Sequence, residues 1–173
     1  MSFIFKECSI GKENRVNKQE INIPNYVNLS IENIVLDYNG TIAKDGILKD
    51  EVKTLLPILS QSYTLHIITA DTFGSVHKQV EAFKVAVKVL SSNNHTVEKA
   101  TYIETLGAKT CIAIGNGNND ILMLQTAELG ISLIGDEGCS TQTLLNSDIV
   151  CKSIKEALEL CINTKRLIAT LRK

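Results

Sequence analysis

No two cysteines in this 173-residue sequence have CxxC spacing, and the five, at 8, 111, 139, 151 and 161, are odd in number. That usage suits reduced thiols in a cytosolic protein and argues against a disulfide framework. His66, His77 and His95 fall in no HExxH or other zinc-ligand pattern, and His66 reads as a core histidine on a strand. No apolar run approaches the ~18 residues of a membrane span. The start, residues 1 to 18, offers only the cluster Phe3-Ile4-Phe5 and no signal-peptide core. A soluble, cytoplasmic protein without a membrane partner is the expectation. Charge of one sign is lacking too: 18 basic residues face 19 acidic ones for a net charge of -1. No nucleic-acid partner is expected, because phosphate neutralisation calls for a basic excess or a basic face. Lys165-Arg166 and Arg172-Lys173 read as solvated helix-end charge.

What is present is enough for one domain with a full core, at 44% hydrophobic content. Residues 1–20 are polar and read as an N-terminal extension, and 21–173 as a single domain. Ile21-Asn22-Ile23 and Leu29-Ser30-Ile31 alternate around Pro24-Asn25, which predicts a short hairpin. Ile34-Val35-Leu36-Asp37 then reads as a buried strand stopped by Asn39-Gly40. Strands follow at 63–69, 83–90, 111–114, 129–134 and 148–151. Helices alternate with them at 49–61 (interrupted by Pro57), 74–83, 96–106 (closed by Gly107), 119–127, 140–146 and 153 to about 170. Six alternations of strand and helix predict an α/β fold: a three-layer, Rossmann-like arrangement with a central parallel sheet.

Three strands end in groups that can do chemistry: Asp37 with Asn39 and Thr41, Thr69 with Asp71, and Asn116 with Asn119 and Asp120. In a doubly wound sheet adjacent strand ends converge on one crevice. Carboxylates there can hold Mg²⁺ through oxygen, while hydroxyls and amides hydrogen-bond a phosphate. Lys99, on the helix before the third of these strands, could supply positive charge. Singly, each has an ordinary reading, as a turn former at a strand end or a surface helix lysine. Gly115-Asn116-Gly117 invites a dinucleotide reading, but Asp120 stands where GxGxxG needs its third glycine.

Taken together, Asp37-Tyr38-Asn39-Gly40-Thr41, Thr69-Ala70-Asp71, Lys99 and Gly115-Asn116-Gly117-Asn118-Asn119-Asp120 resemble the four ordered motifs of the haloacid dehalogenase (HAD) superfamily. Ile67 to Asp71, Gly115 to Leu124, Leu129 to Ser132 and Ser147 to Val150 resemble more narrowly the phosphorylation domain of P-type ATPases, and the small group of stand-alone soluble P-type ATPase-like proteins. The resemblance spans roughly residues 21 to 171. It implies a Mg²⁺-dependent phosphatase or phosphotransferase working through an aspartyl-phosphate on Asp37. Asp37, Asn39, Thr69 and Lys99 would be catalytic. Thr69, Ala70, Lys99, Gly40 and Asn119 would bind phosphate, and Asp37, Asn39 (through its backbone carbonyl), Asn116 and Asp120 would hold the metal.

The departures from that pattern carry as much information as the match. Members commonly place an Asp two residues after the nucleophile as general acid and base, and here Asn39 stands there. An amide transfers no proton, so slow turnover and a long-lived phospho-Asp37 are expected. Asn116 replaces a usual metal-binding Asp, which leaves Asp120 as the expected acid at the metal. Only 32 positions separate Asp37 from Thr69, too few for the nucleotide-binding domain of the pumps, and the 27 residues between Asp71 and Lys99 hold no cap domain. An uncapped site acts on a large phosphorylated substrate or is closed by a neighbouring subunit, which leaves room for a homo-oligomer. An alternative of another class is a phosphate-sensing or regulatory protein that keeps the fold without useful turnover. A receiver-like signalling domain also combines Asp, Thr and Lys on a parallel sheet, but the position of the Gly115–Asp120 loop late in the chain counts against it.

Overall fold

The computed structural model describes residues 18–71 and 75–173. Strands β1 (Gln19–Ile23) and β2 (Val27–Ile31) pair antiparallel as the expected hairpin. Its turn places Asn25 at φ 58 and returns the Tyr26 amide to the Ile23 carbonyl at 3.1 Å. Alternation puts Ile21, Ile23, Leu29 and Ile31 into the main core, so the hairpin is packed as part of the domain.

Strand β3 (Asn33–Asp37) follows at once, buried along its whole length. A two-strand flap, β4 (Ala43–Lys44) and β5 (Ile47–Leu48), comes next. The sequence shows it only as the Asp45-Gly46 turn, because strands of two residues carry no periodicity. Helix α1 (Asp50–Leu59) runs through Pro57, which was expected to interrupt it. A proline this close to the C-terminal end removes only one intrahelical bond, and burial of Val52, Leu56 and Leu59 holds the last turn.

The chain continues as β6 (Thr64–Thr69), α2 (Ser75–Val80), β7 (Val85–Val89), α3 (His95–Leu106), β8 (Cys111–Gly115), α4 (Ile121–Thr126), β9 (Leu129–Leu133), α5 (Thr141–Leu145), β10 (Ile149–Cys151), α6 (Ile154–Ile162) and α7 (Thr164–Leu171). The helix expected over 74–83 is thus shorter, and residue 74 lies outside the described residues, as do residues 1–17 of the expected extension. The single helix expected from 153 to about 170 is two. Asn163, at φ -105 and ψ 78, leaves helical geometry between them. The break turns α7 onto β1, with Leu167 buried.

β3 and β6 to β10 form one parallel sheet in the order β10-β9-β8-β3-β6-β7. Because side chains alternate along a strand, Ile34 and Leu36 of β3 face one apolar cluster with α1 and α6, while Val35 faces another with Ile103 of α3 and Met123 of α4. Helices on both faces make three layers, as expected. The chain moves outward from β3 through β6 to β7, then returns to β8 on the other side of β3. The reversal between β3 and β8 is where an open parallel sheet leaves a crevice beyond its carboxyl ends. Among the described residues between Thr69 and Lys99 stand α2, β7 and the first turn of α3, too little for a cap domain over that crevice. Among the described residues no helix is long and apolar enough to cross a membrane.

Candidate active site

Asp37 is the last residue of β3 and lies in that crevice. Lys99 reaches it from α3, where Lys99 and Ile103, four residues apart, share the face turned to the sheet. The lysine is 1% exposed. Its Nζ donates to Asp37 Oδ1 at 2.5 Å and to Asp120 Oδ1 at 2.6 Å. One buried cation therefore serves two buried carboxylates. Burial raises the Asp37 carboxyl to about 7, and the Asp120 charge adds to the rise against the opposing pull of Lys99. Burial opposes the charge on Lys99, but Asp37 and Asp120 outweigh it and hold the ammonium protonated.

Asp120, expected as the acid nearest a metal, is engaged through both of its oxygens. It is fully buried, with Oδ1 on Lys99 and Oδ2 accepting from the amides of Asn116 at 2.9 Å and Gly117 at 2.8 Å. A carboxylate with both oxygens so engaged anchors the lysine and the loop after β8 from behind. Gly115 permits this, since a Cβ there would lie 2.5 Å from the Asp120 carboxyl carbon.

A cavity of about 200 Å³ opens in front of Asp37. It is lined by Asp37, Asn39, Thr69, Ala70, Leu90, Lys99, Asn116, Gly117, Asn119 and Glu137. Seven of these lining positions were expected as site residues; Gly117 belongs to the Gly115–Asp120 motif without an expected role, and Leu90 and Glu137 lie outside the motifs. Glu137 lies between two glycines in the loop after β9, and β9 is hydrogen-bonded to β8, so its loop opens onto the same crevice. Thr69, at the end of β6, accepts the Asp71 amide on Oγ1 at 3.0 Å. Asp71 has the ordinary role of a turn and helix-start residue, accepting from Ser75 Oγ and the Val76 amide.

Gly40 does not line the cavity; it shapes it. It sits at φ +78, and a Cβ there would lie 2.8 Å from both Oδ1 and Nδ2 of Asn116 and 2.9 Å from Glu137 Oε2. The fully buried Thr41 hydroxyl lies 3.3 Å from Asp37 Oδ2 and 3.2 Å from Asn116 Oδ1. Having a single proton, it holds these two acceptors in register rather than satisfying both.

The donors around the cavity are oxygens, with no imidazole or thiol among its lining residues. Among the described residues no three His, Cys, Asp or Glu side chains converge as a metal cluster. Amide, backbone and water oxygens would have to complete a cation's shell. This is the donor chemistry of Mg²⁺, which takes one or two carboxylates and keeps several waters. His66 is a core histidine, as expected, bonded through Nδ1 to the Tyr102 hydroxyl and through Nε2 to Asn33 Oδ1. Cys111, Cys139, Cys151 and Cys161 are free thiols; Cys8 lies outside the described residues.

The lysine helix is fixed at its start by Glu98, whose carboxylate accepts from the amides of Ser92 at 2.8 Å and Ser91 at 3.0 Å and pairs with Lys88 at 3.1 Å. The Ser92 amide is the main cause that lowers this carboxyl to about 2. A carboxyl with a depressed folded pKa contributes stability above its ordinary value of 4.5 and loses it as pH falls toward 2. Glu98→Gln should therefore show a flatter dependence of Tm on pH between 4.5 and 2 than the wild type. Parallel profiles by circular dichroism would show that these bonds do not secure the helix.

The family model for haloacid dehalogenase-like hydrolases matches residues 46–134, just over half of the chain. The chain belongs to that family. The matched span carries Thr69, Lys99 and the Gly115–Asp120 loop. This HAD-like hydrolase is also 59% identical, over 64 residues, to the uncharacterized protein MJ0073 of Methanocaldococcus jannaschii, covering 37% of this chain and 69% of that one. It is 51% identical over 39 residues to MJ0072 of the same organism, covering 22% of this chain and 89% of that one. Its fold is shared with the 3-deoxy-D-manno-octulosonate 8-phosphate phosphatase of Moraxella catarrhalis, solved with magnesium and phosphate ions. There the TM-score is 0.64 at 20% identity, over 82% of this chain and 94% of that one. The cobalt-bound deoxy-D-mannose-octulosonate 8-phosphate phosphatase of Haemophilus influenzae aligns with TM-score 0.65 at 8% identity, over 83% and 94% of the two chains.

Proposed function

We propose that this HAD-like hydrolase is a divalent-metal-dependent phosphatase or phosphotransferase that forms an aspartyl-phosphate on Asp37, with Mg²⁺ as the working metal. The observation that carries the reading is Asp37 at the end of the central strand, 2.5 Å from a buried lysine, at an oxygen-lined cavity. Phosphatase chemistry on the same fold in the two solved relatives supports it. Asp37, the Asn39 carbonyl and Asn116 Oδ1 would hold the metal. When bound, it would offset the repulsion between the Asp37 carboxylate and an incoming phosphate dianion.

An Asp37 oxygen attacks phosphorus, the bond from phosphorus to the leaving oxygen breaks, and the phosphoryl group passes to the carboxylate. Thr69 hydrogen-bonds the phosphoryl oxygens and Lys99 offsets their charge. Both are held before substrate arrives, the lysine by two carboxylates and the threonine at a strand end. Water then attacks phospho-Asp37 and releases phosphate. Asn39 can orient the leaving oxygen or that water but gives neither a proton, so both steps are slow.

A volume of about 200 Å³ falls below the ~300–1,000 Å³ of sites that enclose a whole small molecule. The phosphoryl group enters, and the rest of the substrate lies on the outer surface or against a neighbouring subunit. In the presence of Mg²⁺, the wild type should release phosphate from a generic phosphoester or acyl phosphate. Asp37→Ala should lose at least about 10³-fold of that rate. Equal slow release from both proteins would refute the enzyme reading.

Asn39 and Asn116 also favour a second reading, a sensor that binds a phosphorylated ligand without turnover. Mg²⁺ with beryllofluoride should raise Tm under either reading, and sustained turnover of any phosphoester would eliminate the second.

A further inference from the structure

Among the described residues that line the cavity, only Asp37 and Glu137 are acids. The amide side chains that line it, Asn39, Asn116 and Asn119, are neutral, and Asp120 is consumed behind it by Lys99 and two backbone amides. A divalent cation held by Asp37 and amides alone would have one anionic ligand, and that ligand is already shared with a lysine. Such a site is weak, since oxygen-ligand affinity for hard cations rises with ligand charge.

Glu137 is placed to remedy this. The loop that carries it is fastened on both sides. The Gly135 amide donates to the Lys152 carbonyl at 3.0 Å, and Asp136 pairs with Lys49 at 3.2 Å. On the far side the Gly138 carbonyl accepts from Asn116 Nδ2 at 3.0 Å, and the Ser140 amide donates to the Asn116 carbonyl at 3.0 Å. Asn116 is thus bound twice to the loop and turns its Oδ1 toward Thr41. Between these anchors Glu137 extends over Gly40. Its Oε2 and the Asn116 side chain pack side by side against Gly40, 2.9 and 2.8 Å from where a Cβ on Gly40 would stand. Only glycine allows both groups to come this close to the backbone there. The Glu137 side chain forms no ion pair with a described residue, whereas its neighbour Asp136 does.

We propose that Glu137 is the second anionic ligand of the divalent cation, so that the loop after β9 supplies the charge that the amides at 39 and 116 do not. The inference rests on the proposed metal-dependent reaction but concerns binding, and it can fail separately. The arrangement makes Asn116 a positioning residue as well: its amide nitrogen holds the loop while its oxygen faces the cation.

Mn²⁺ serves as the probe, its binding followed by loss of the free-ion paramagnetic resonance signal and by titration calorimetry on the full chain. The wild type should bind one equivalent. Glu137→Gln should bind at least about 10-fold more weakly, with an unchanged Tm in EDTA. Glu51→Gln, which removes the same charge from the first turn of α1, should bind like the wild type. The deficit of Glu137→Gln should persist in 0.5 M KCl, because a ligand is not screened as a distant charge is. An affinity within about twofold of wild type, or a deficit that disappears in salt, would overturn the assignment of Glu137 and leave the metal-dependent reaction standing. A wild type that binds no Mn²⁺, or binds it equally after Asp37→Asn, would overturn both.

Discussion

Lys99→Met should lower Tm by roughly 6–20 °C at pH 8 in EDTA, and by much less at pH 5. Methionine fills most of the lysine's volume, so the loss is chiefly one of charge. Its removal leaves Asp37 and Asp120 buried without the cation that now bonds both, at 2.5 and 2.6 Å. Removing one partner of a buried pair costs about 3–5 kcal/mol, and for a chain of this length each kcal/mol moves Tm by about 2–4 °C. The pH dependence follows from what raises Asp37. Burial and the Asp120 charge push its carboxyl up to about 7 even with Lys99 present, and without the lysine it stands higher. A carboxyl whose folded pKa exceeds its ordinary 3.8 binds more protons in the folded than in the unfolded state between those two values. Stability therefore falls as pH rises through that window, and the cost is complete only above the folded pKa. Thermal melts of both proteins at pH 5 and pH 8 test this. An equal deficit at the two pH values would mean that Lys99 matters for packing and not for charge. Phosphatase turnover should also fall, by about 10²–10³-fold, since the variant has nothing to offset the phosphoryl charge.

The degree to which this arrangement could be read from sequence depends on the length of the signal. β3 and β8 are short apolar runs that lead into polar residues, and β6 is apolar apart from the buried His66; such runs bounded by turn signals read as strands buried on both faces. Their parallel pairing follows from the alternation with helices, which leads to the expected convergence of Asp37, Thr69 and Asn116 at one edge; the strand order itself does not follow from it. Lys99 is legible only through its partners: one lysine on a helix says nothing until the carboxylates that bury it are placed. Asp120 illustrates the limit of a motif. Its spacing from Gly115 marks it as a site residue, but whether its oxygens face a cation or the backbone amides of its own loop depends on how that loop turns. Glu137 was hidden differently. Gly135-Asp136-Glu137-Gly138 reads as a turn, and nothing local distinguishes the acid that pairs with Lys49 from the acid that reaches the cavity. The pairing of β9 with β8 would have directed attention to the loop, since strand ends next to the switch point share its crevice. The break at Asn163 and the two-residue strands of the flap were illegible because tertiary contacts, not periodicity, decide them.

Asn39→Asp is the substitution with the largest expected gain. Asn39 is exposed at the cavity mouth and lines it beside Asp37. The exchange of an amide for a carboxyl is nearly isosteric and disturbs no core contact. It gives the site a group that can protonate the leaving oxygen in the first step and take a proton from the attacking water in the second. A positioned general acid and base contributes about 10²–10⁴-fold, so steady-state phosphate release should rise by that order and the phospho-Asp37 intermediate should become shorter-lived. Both are measurable, the rate by phosphate release and the lifetime by acid quench after labelling with a ³²P-acyl phosphate. The new carboxyl also adds negative charge near Asp37, which raises the cost of ionising that proposed nucleophile. The gain should therefore be largest with Mg²⁺ saturating and smaller when the metal is scarce. An unchanged rate together with an unchanged intermediate lifetime would show that proton transfer at this position does not limit the reaction. In that case the slow step would lie in closing the uncapped site against water, and the neighbouring surface that closes it, not residue 39, would set the rate.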